Sequence, residues 1–97
     1  MRHLYLAIHY PKPESVGELL EAMSGFGVAL GQVPGMLEAT AWRDKERIVA
    51  FSIWASGAAF DAAMPALADA VADVPFEQWE ARPRELFRLD EVAPPGA

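Results

Sequence analysis

Hydrophobic and polar residues alternate along this chain in four places, and two stretches of helical periodicity separate them. Residues 3–10, HLYLAIHY, place Leu4, Leu6, Ile8 and Tyr10 on one side and His3, Tyr5, Ala7 and His9 on the other, the period of two of a β-strand. Pro11-Lys12-Pro13 ends it, because proline has no N–H for a ladder. Val16, Leu19, Leu20, Met23, Phe26 and Leu30 then recur at three-four spacing and predict a helix over about 14–32, with Glu14, Glu18 and Glu21 on its wet side. Four glycines in that helix weaken its second half. Residues 36–43 alternate again, and a strand over 47–54 holds a nearly unbroken apolar run from Ile48 to Trp54. The charged turn Asp44-Lys45-Glu46 joins them, so the pair reads as a hairpin with an outer and an inner strand. Ser56 is placed to cap a second helix carried by Phe60, Ala63, Met64, Leu67 and Val71. Pro65 predicts a kink or a restart there. Phe76 to Glu80 reads as at most one helical turn, and 84–92 as a fourth, edge strand.

Strand, helix, strand, strand, helix, strand is the split βαβ order of an α+β, ferredoxin-like subunit. Its antiparallel sheet has the order 4-1-3-2, with both helices on one face. Helices cover only that face, yet the central strands are apolar on both: Leu4, Leu6, Ile8, Phe51 and Ile53 on one side, Tyr5, Ile48 and Trp54 on the other. A second copy packed sheet to sheet is the simplest cover, so a homodimer is expected.

Composition narrows the function. The chain has 97 residues, enough for one domain over 1–92 with a loose tail at 93–97, and 53% of them are apolar. A net charge of −6 disfavours nucleic acid and anionic membrane surfaces, both of which need a cationic patch. There is no cysteine, no apolar run of spanning length and no secretory leader pattern, which makes a cytoplasmic protein the expectation.

PGMLEATAWRD, the strand IVAFSIWAS and the GAAF that follows resemble the antibiotic-biosynthesis-monooxygenase-like family. The shared positions are Pro34 and Gly35 before the second strand, Trp42 near its end, Trp54 and Ser56 closing the third, and Ala59 and Phe60 entering the second helix. The resemblance implies a homodimeric α/β barrel with a cleft between sheet and helices in each subunit, and monooxygenase activity on a small aromatic or polyketide-like compound. The haem-degrading branch uses an asparagine on the first strand, and a tryptophan and a histidine on the second helix. This chain has no asparagine, Ala63 falls at the tryptophan position, and residues 69–71 hold no histidine. A non-catalytic binding or structural dimer of the same fold is the competing expectation.

His9 is the candidate catalytic base for a phenolic substrate, since imidazole titrates near neutral pH. The alternative is a strand-end histidine bonded to backbone at the dimer seam. His3 is expected exposed or at the subunit interface. The two rings lie ~20 Å apart at strand rise, so no metal site is readable and no cofactor is assigned. Tyr5, Trp42, Trp54, Met64 and Trp79 are candidate walls for a small apolar or aromatic ligand, although core packing explains Trp54 equally well. Arg43, Arg47, Arg84 and Arg88 could hold a carboxylate or simply guard strand edges. An enzyme should show a closed pocket of at least about 300 Å³ between sheet and helices. A scaffold should fill that space with Met23, Phe26, Phe60 and Met64.

Overall fold

The computed structural model describes residues 1–93; residues 94–97 of the expected tail lie outside the described residues. Four strands, β1 (His3–His9), β2 (Met36–Arg43), β3 (Ile48–Trp54) and β4 (Glu85–Asp90), form one antiparallel sheet in the order β2-β3-β1-β4. α1 (Val16–Leu30), α2 (Gly57–Val71) and the short α3 (Phe76–Trp79) complete the chain. This is the ferredoxin-like order 4-1-3-2 that the sequence pattern predicts.

Local chemistry sets the boundaries. Asp44 Oδ1 accepts from the backbone N–H groups of Glu46 and Arg47, at 2.9 and 2.7 Å, and Arg47 Nη2 donates to its other oxygen at 2.8 Å. The hairpin turn is thereby closed on itself. Ser56 Oγ accepts from the Ala59 N–H at 3.1 Å and caps α2. Gly35 has φ +86°, and a Cβ there would stand 2.7 Å from the Ala59 Cβ. Only glycine serves both needs, so the turn into β2 can press directly on the start of α2.

Two expectations change. α1 is shorter than its apolar spacing, because Pro13–Ser15 form a 3-10 turn before it. α2 runs unbroken through Pro65 rather than restarting. Pro65 and Asp61 are both exposed, so water can satisfy the Asp61 carbonyl that loses its amide donor.

Register assigns the faces. His3 pairs Trp54, Tyr5 pairs Ser52, Ala7 pairs Ala50 and His9 pairs Ile48, and this face meets the helices. There Trp54 and Phe60 meet edge to face at 5.4 Å, Tyr5 stacks on Phe60 at 4.9 Å, and Leu19 is fully buried. Each aromatic pair adds ~1 kcal/mol beyond its buried area. The opposite face carries Leu4, Leu6, Ile8, Val49, Phe51 and Ile53 with no helix of the described residues over them, and Phe87 and Leu89 of β4 beside them are exposed.

Candidate functional site

His9 ends β1 on the helix-facing side and is 6% exposed. The chain after it runs antiparallel to the chain after α3: Lys12 N–H donates to the Trp79 carbonyl and Ala81 N–H to that of Tyr10, both at 2.8 Å. That pairing turns the Glu80 side chain inward. Its Oε1 accepts from the Tyr10 N–H at 3.1 Å and lies 3.2 Å from His9 Nδ1. With Glu80 ionised, Nδ1 carries the imidazole proton and donates it, leaving the Nε2 lone pair free. Nε2 has no hydrogen-bond partner among the described residues, and it is not sealed from solvent. Burial pushes the His9 pKa below its ordinary value, with Glu80 pulling the other way and Arg84 adding to the fall. The ring is a neutral base oriented by a carboxylate.

Phe76 of α3 stacks on His9 with ring centroids 5.7 Å apart, and the Arg84 guanidinium lies 4.1 Å from the Phe76 centroid. Four residues back along β1 on the same face, beyond Ala7, Tyr5 is half-buried; burial raises its pKa and the Arg84 charge opposes that. Its hydroxyl has no partner among the described residues. Ala7, Ala50 and Ala41 form one register row of small side chains beside these groups. Ala41 and Ala39 are exposed, so the helix layer stops short of β2.

The candidate walls are thus only partly assembled. His9, Tyr5 and Trp54 share the helix-facing side, and Met64 of α2 is 42% exposed. Trp54 is fully buried, donates through Nε1 to Ser52 Oγ at 2.8 Å, and supports Phe60 from behind. Trp79 is half-buried on α3, one residue before Glu80. Trp42 pairs Val49 on the opposite face, is 64% exposed and donates to Thr40 Oγ1, so the structure does not bring it to the others. Among the four arginines, Arg47 is committed to Asp44 and Arg88 to Asp61.

His3 is a correction. It is 5% exposed beneath the start of α2, not at the surface. Arg88 Nε donates to its Nε2 at 3.1 Å and its Nδ1 lies 2.9 Å from Asp90, a network that joins the β1–β4 edge to α2 through Asp61. Burial of a polar ring is offset here by bonding both of its nitrogens.

Two cavities stand out among the described residues, and both open beside the hairpin rather than enclosing His9. One of about 260 Å³ lies between Pro13, Val16 and Ile48, and one of about 210 Å³ lies against Trp42 and Val49. Phe60 fills the centre and Met23 and Phe26 are half-buried. No three histidine or acidic side chains among the described residues are placed to hold a metal ion, and no helix of theirs is long and apolar enough to cross a membrane.

The architecture matches solved structures over nearly its whole length. Rv0793 from Mycobacterium tuberculosis superposes with a TM-score of 0.81 over 99% of this chain and 100% of its own, at 16% identity. An antibiotic biosynthesis monooxygenase superposes with a TM-score of 0.76 over 96% of this chain and 100% of its own, at 19% identity. The fold is that of the antibiotic biosynthesis monooxygenases. SnoaB, a cofactor-independent oxygenase from Streptomyces nogalater, shares this monooxygenase fold with a TM-score of 0.78 at 13% identity, over 99% of this chain and 98% of its own. No family model and no curated protein matches the sequence. At these identities the likeness describes the fold and not the reaction.

Glu80 and Phe76 are the site residues that sequence reasoning misses, and Arg84, a candidate for holding a carboxylate, lies over the Phe76 ring instead. Glu80 lies 71 positions from His9, and its neighbours carry only the signal of a short turn. A lone strand-end histidine could have prompted a search for its carboxylate. Nothing local says which of the acidic residues it is.

Proposed function

We propose that this chain is a monooxygenase acting on a small aromatic or polyketide-like compound, working as a homodimer. The observation that carries the reading is the buried His9–Glu80 pair: one imidazole nitrogen held by a carboxylate, the other without a partner among the described residues, with the half-buried Tyr5 further along the same sheet face. Such a base removes the proton of a phenolic hydroxyl and leaves an electron-rich ring that can react with oxygen. SnoaB, of the same fold, is described as cofactor-independent, which supports testing without added cofactor. The uncovered apolar sheet face supports the dimer.

A non-catalytic ligand-binding dimer is the second reading, favoured by cavities that open beside the hairpin instead of enclosing the base. Oxygen uptake separates the two. A panel of phenols and polycyclic hydroxyaromatics in air-saturated buffer, without added flavin or metal, should give uptake with at least one compound. His9→Gln should abolish it while leaving the fold intact by circular dichroism. Compounds that raise the melting point yet consume no oxygen would favour the binding dimer.

A further inference from the structure

The cavity of about 260 Å³ has an apolar side and a charged rim in which three cations outnumber two carboxylates. Pro11, Pro13, Val16 and Ile48 supply the apolar side, and Arg43 and Lys45 stand at the hairpin end. Neither Arg43 nor Lys45 lies within ion-pair distance of a carboxylate among the described residues. The Arg47 charge is already spent on Asp44, whose carboxyl that contact and two backbone N–H groups hold at a pKa of about 2. Glu46 also lines the groove and offsets part of the rim's charge, which favours a monoanion over a dianion. In a chain of net charge −6, two unpaired cations beside apolar residues form a local reversal of sign.

Register ties this groove to the base. Arg43 pairs Ile48, and Ile48 pairs His9, so the three occupy one row across β2, β3 and β1 on the helix-facing side. Two strand spacings separate the Cα atoms of Arg43 and His9, ~10 Å. We infer that the groove is the carboxylate-binding half of the proposed site, and that its ligand is a flat aromatic acid. The ring system lies against Pro11, Pro13 and Val16, with the carboxylate on Arg43 and Lys45 and the far end toward His9. A guanidinium takes a carboxylate in two parallel hydrogen bonds, and the apolar side takes the ring. The inference rests on the reading of His9 as the base, but it is a statement about binding and is tested as one.

The test is a two-dimensional amide NMR titration with three probes: 2-naphthoate, the neutral 2-naphthalenemethanol and inorganic phosphate. Naphthoate should shift the amides of residues 12–16 and 43–48 and saturate, with the neutral alcohol and phosphate each at least tenfold weaker. Arg43→Gln with Lys45→Gln should weaken naphthoate at least tenfold and leave the melting point unchanged, because neither side chain is paired. Equal affinity for the alcohol or for phosphate, shifts centred elsewhere, or an unaltered affinity in the double variant overturns the inference. Naphthoate binding in the groove without oxygen uptake from any hydroxynaphthoate would remove the monooxygenase reading and leave this one standing. Uptake from neutral phenols with no carboxylate preference would do the reverse.

Discussion

His9 Nδ1 and Glu80 Oε1 stand 3.2 Å apart, both side chains buried, with the Tyr10 N–H fixing the same carboxylate oxygen. Glu80→Ala leaves the His9 N–H and the Tyr10 N–H without their buried acceptor, and should cost about 1–3 kcal/mol of stability by urea unfolding. Glu80→Gln keeps an acceptor oxygen and should cost less. If the two variants unfold at the same urea concentration as the wild type, the pair is not structural.

The His9 pKa is lowered by burial, and that makes stability depend on pH in a defined window. Between the lowered folded value and the ordinary 6.5, the unfolded chain takes up a proton that the folded chain refuses. Stability therefore falls as pH drops below 6.5, levels off below the folded value, and is independent of this group at higher pH. His9→Gln should flatten that limb. The check is the difference in melting point between wild type and variant at pH 7.5, 6.5 and 5.5. A constant difference would show that His9 does not titrate in the fold as argued.

The glycines divide by their surroundings. Gly35→Ala meets both a positive φ and the Ala59 Cβ at 2.7 Å, and should destabilise by more than about 1 kcal/mol. Gly25 and Gly27 lie within α1 with nothing within 4 Å of an added Cβ. Alanine at either should stabilise by about 0.5–1 kcal/mol. Thermal unfolding of the three single variants reads both signs.

The uncovered sheet face predicts an assembly. Light scattering at micromolar concentration should give twice the 10.6 kDa chain mass. Phe51→Glu, on the open face of the inner strand β3, should shift it to the monomer by burying a charge where the sheets meet. A wild-type monomer would leave the exposed Phe87 and Leu89 unexplained.

The sequence by itself determined the elements and much of the topology, because their causes are local. A period of two marks β1 and β2, Asp44 closes its own turn, and Ser56 caps the helix three residues ahead. Each depends on neighbours within a few positions, which a linear reading can see. Tertiary structure decided what the titratable groups meet. His9 finds Glu80 across 71 positions and His3 finds Asp90 across 87, partners that exist only once β1 has paired with β4 and α3 has packed behind it. The same register sends Trp42 to one face and Trp54 to the other, although composition alone groups them. Side-chain chemistry is written in the sequence. The desolvation that lowers His9 and the carboxylate that orients it come from packing between distant segments, and no spacing along the chain encodes which segments those are.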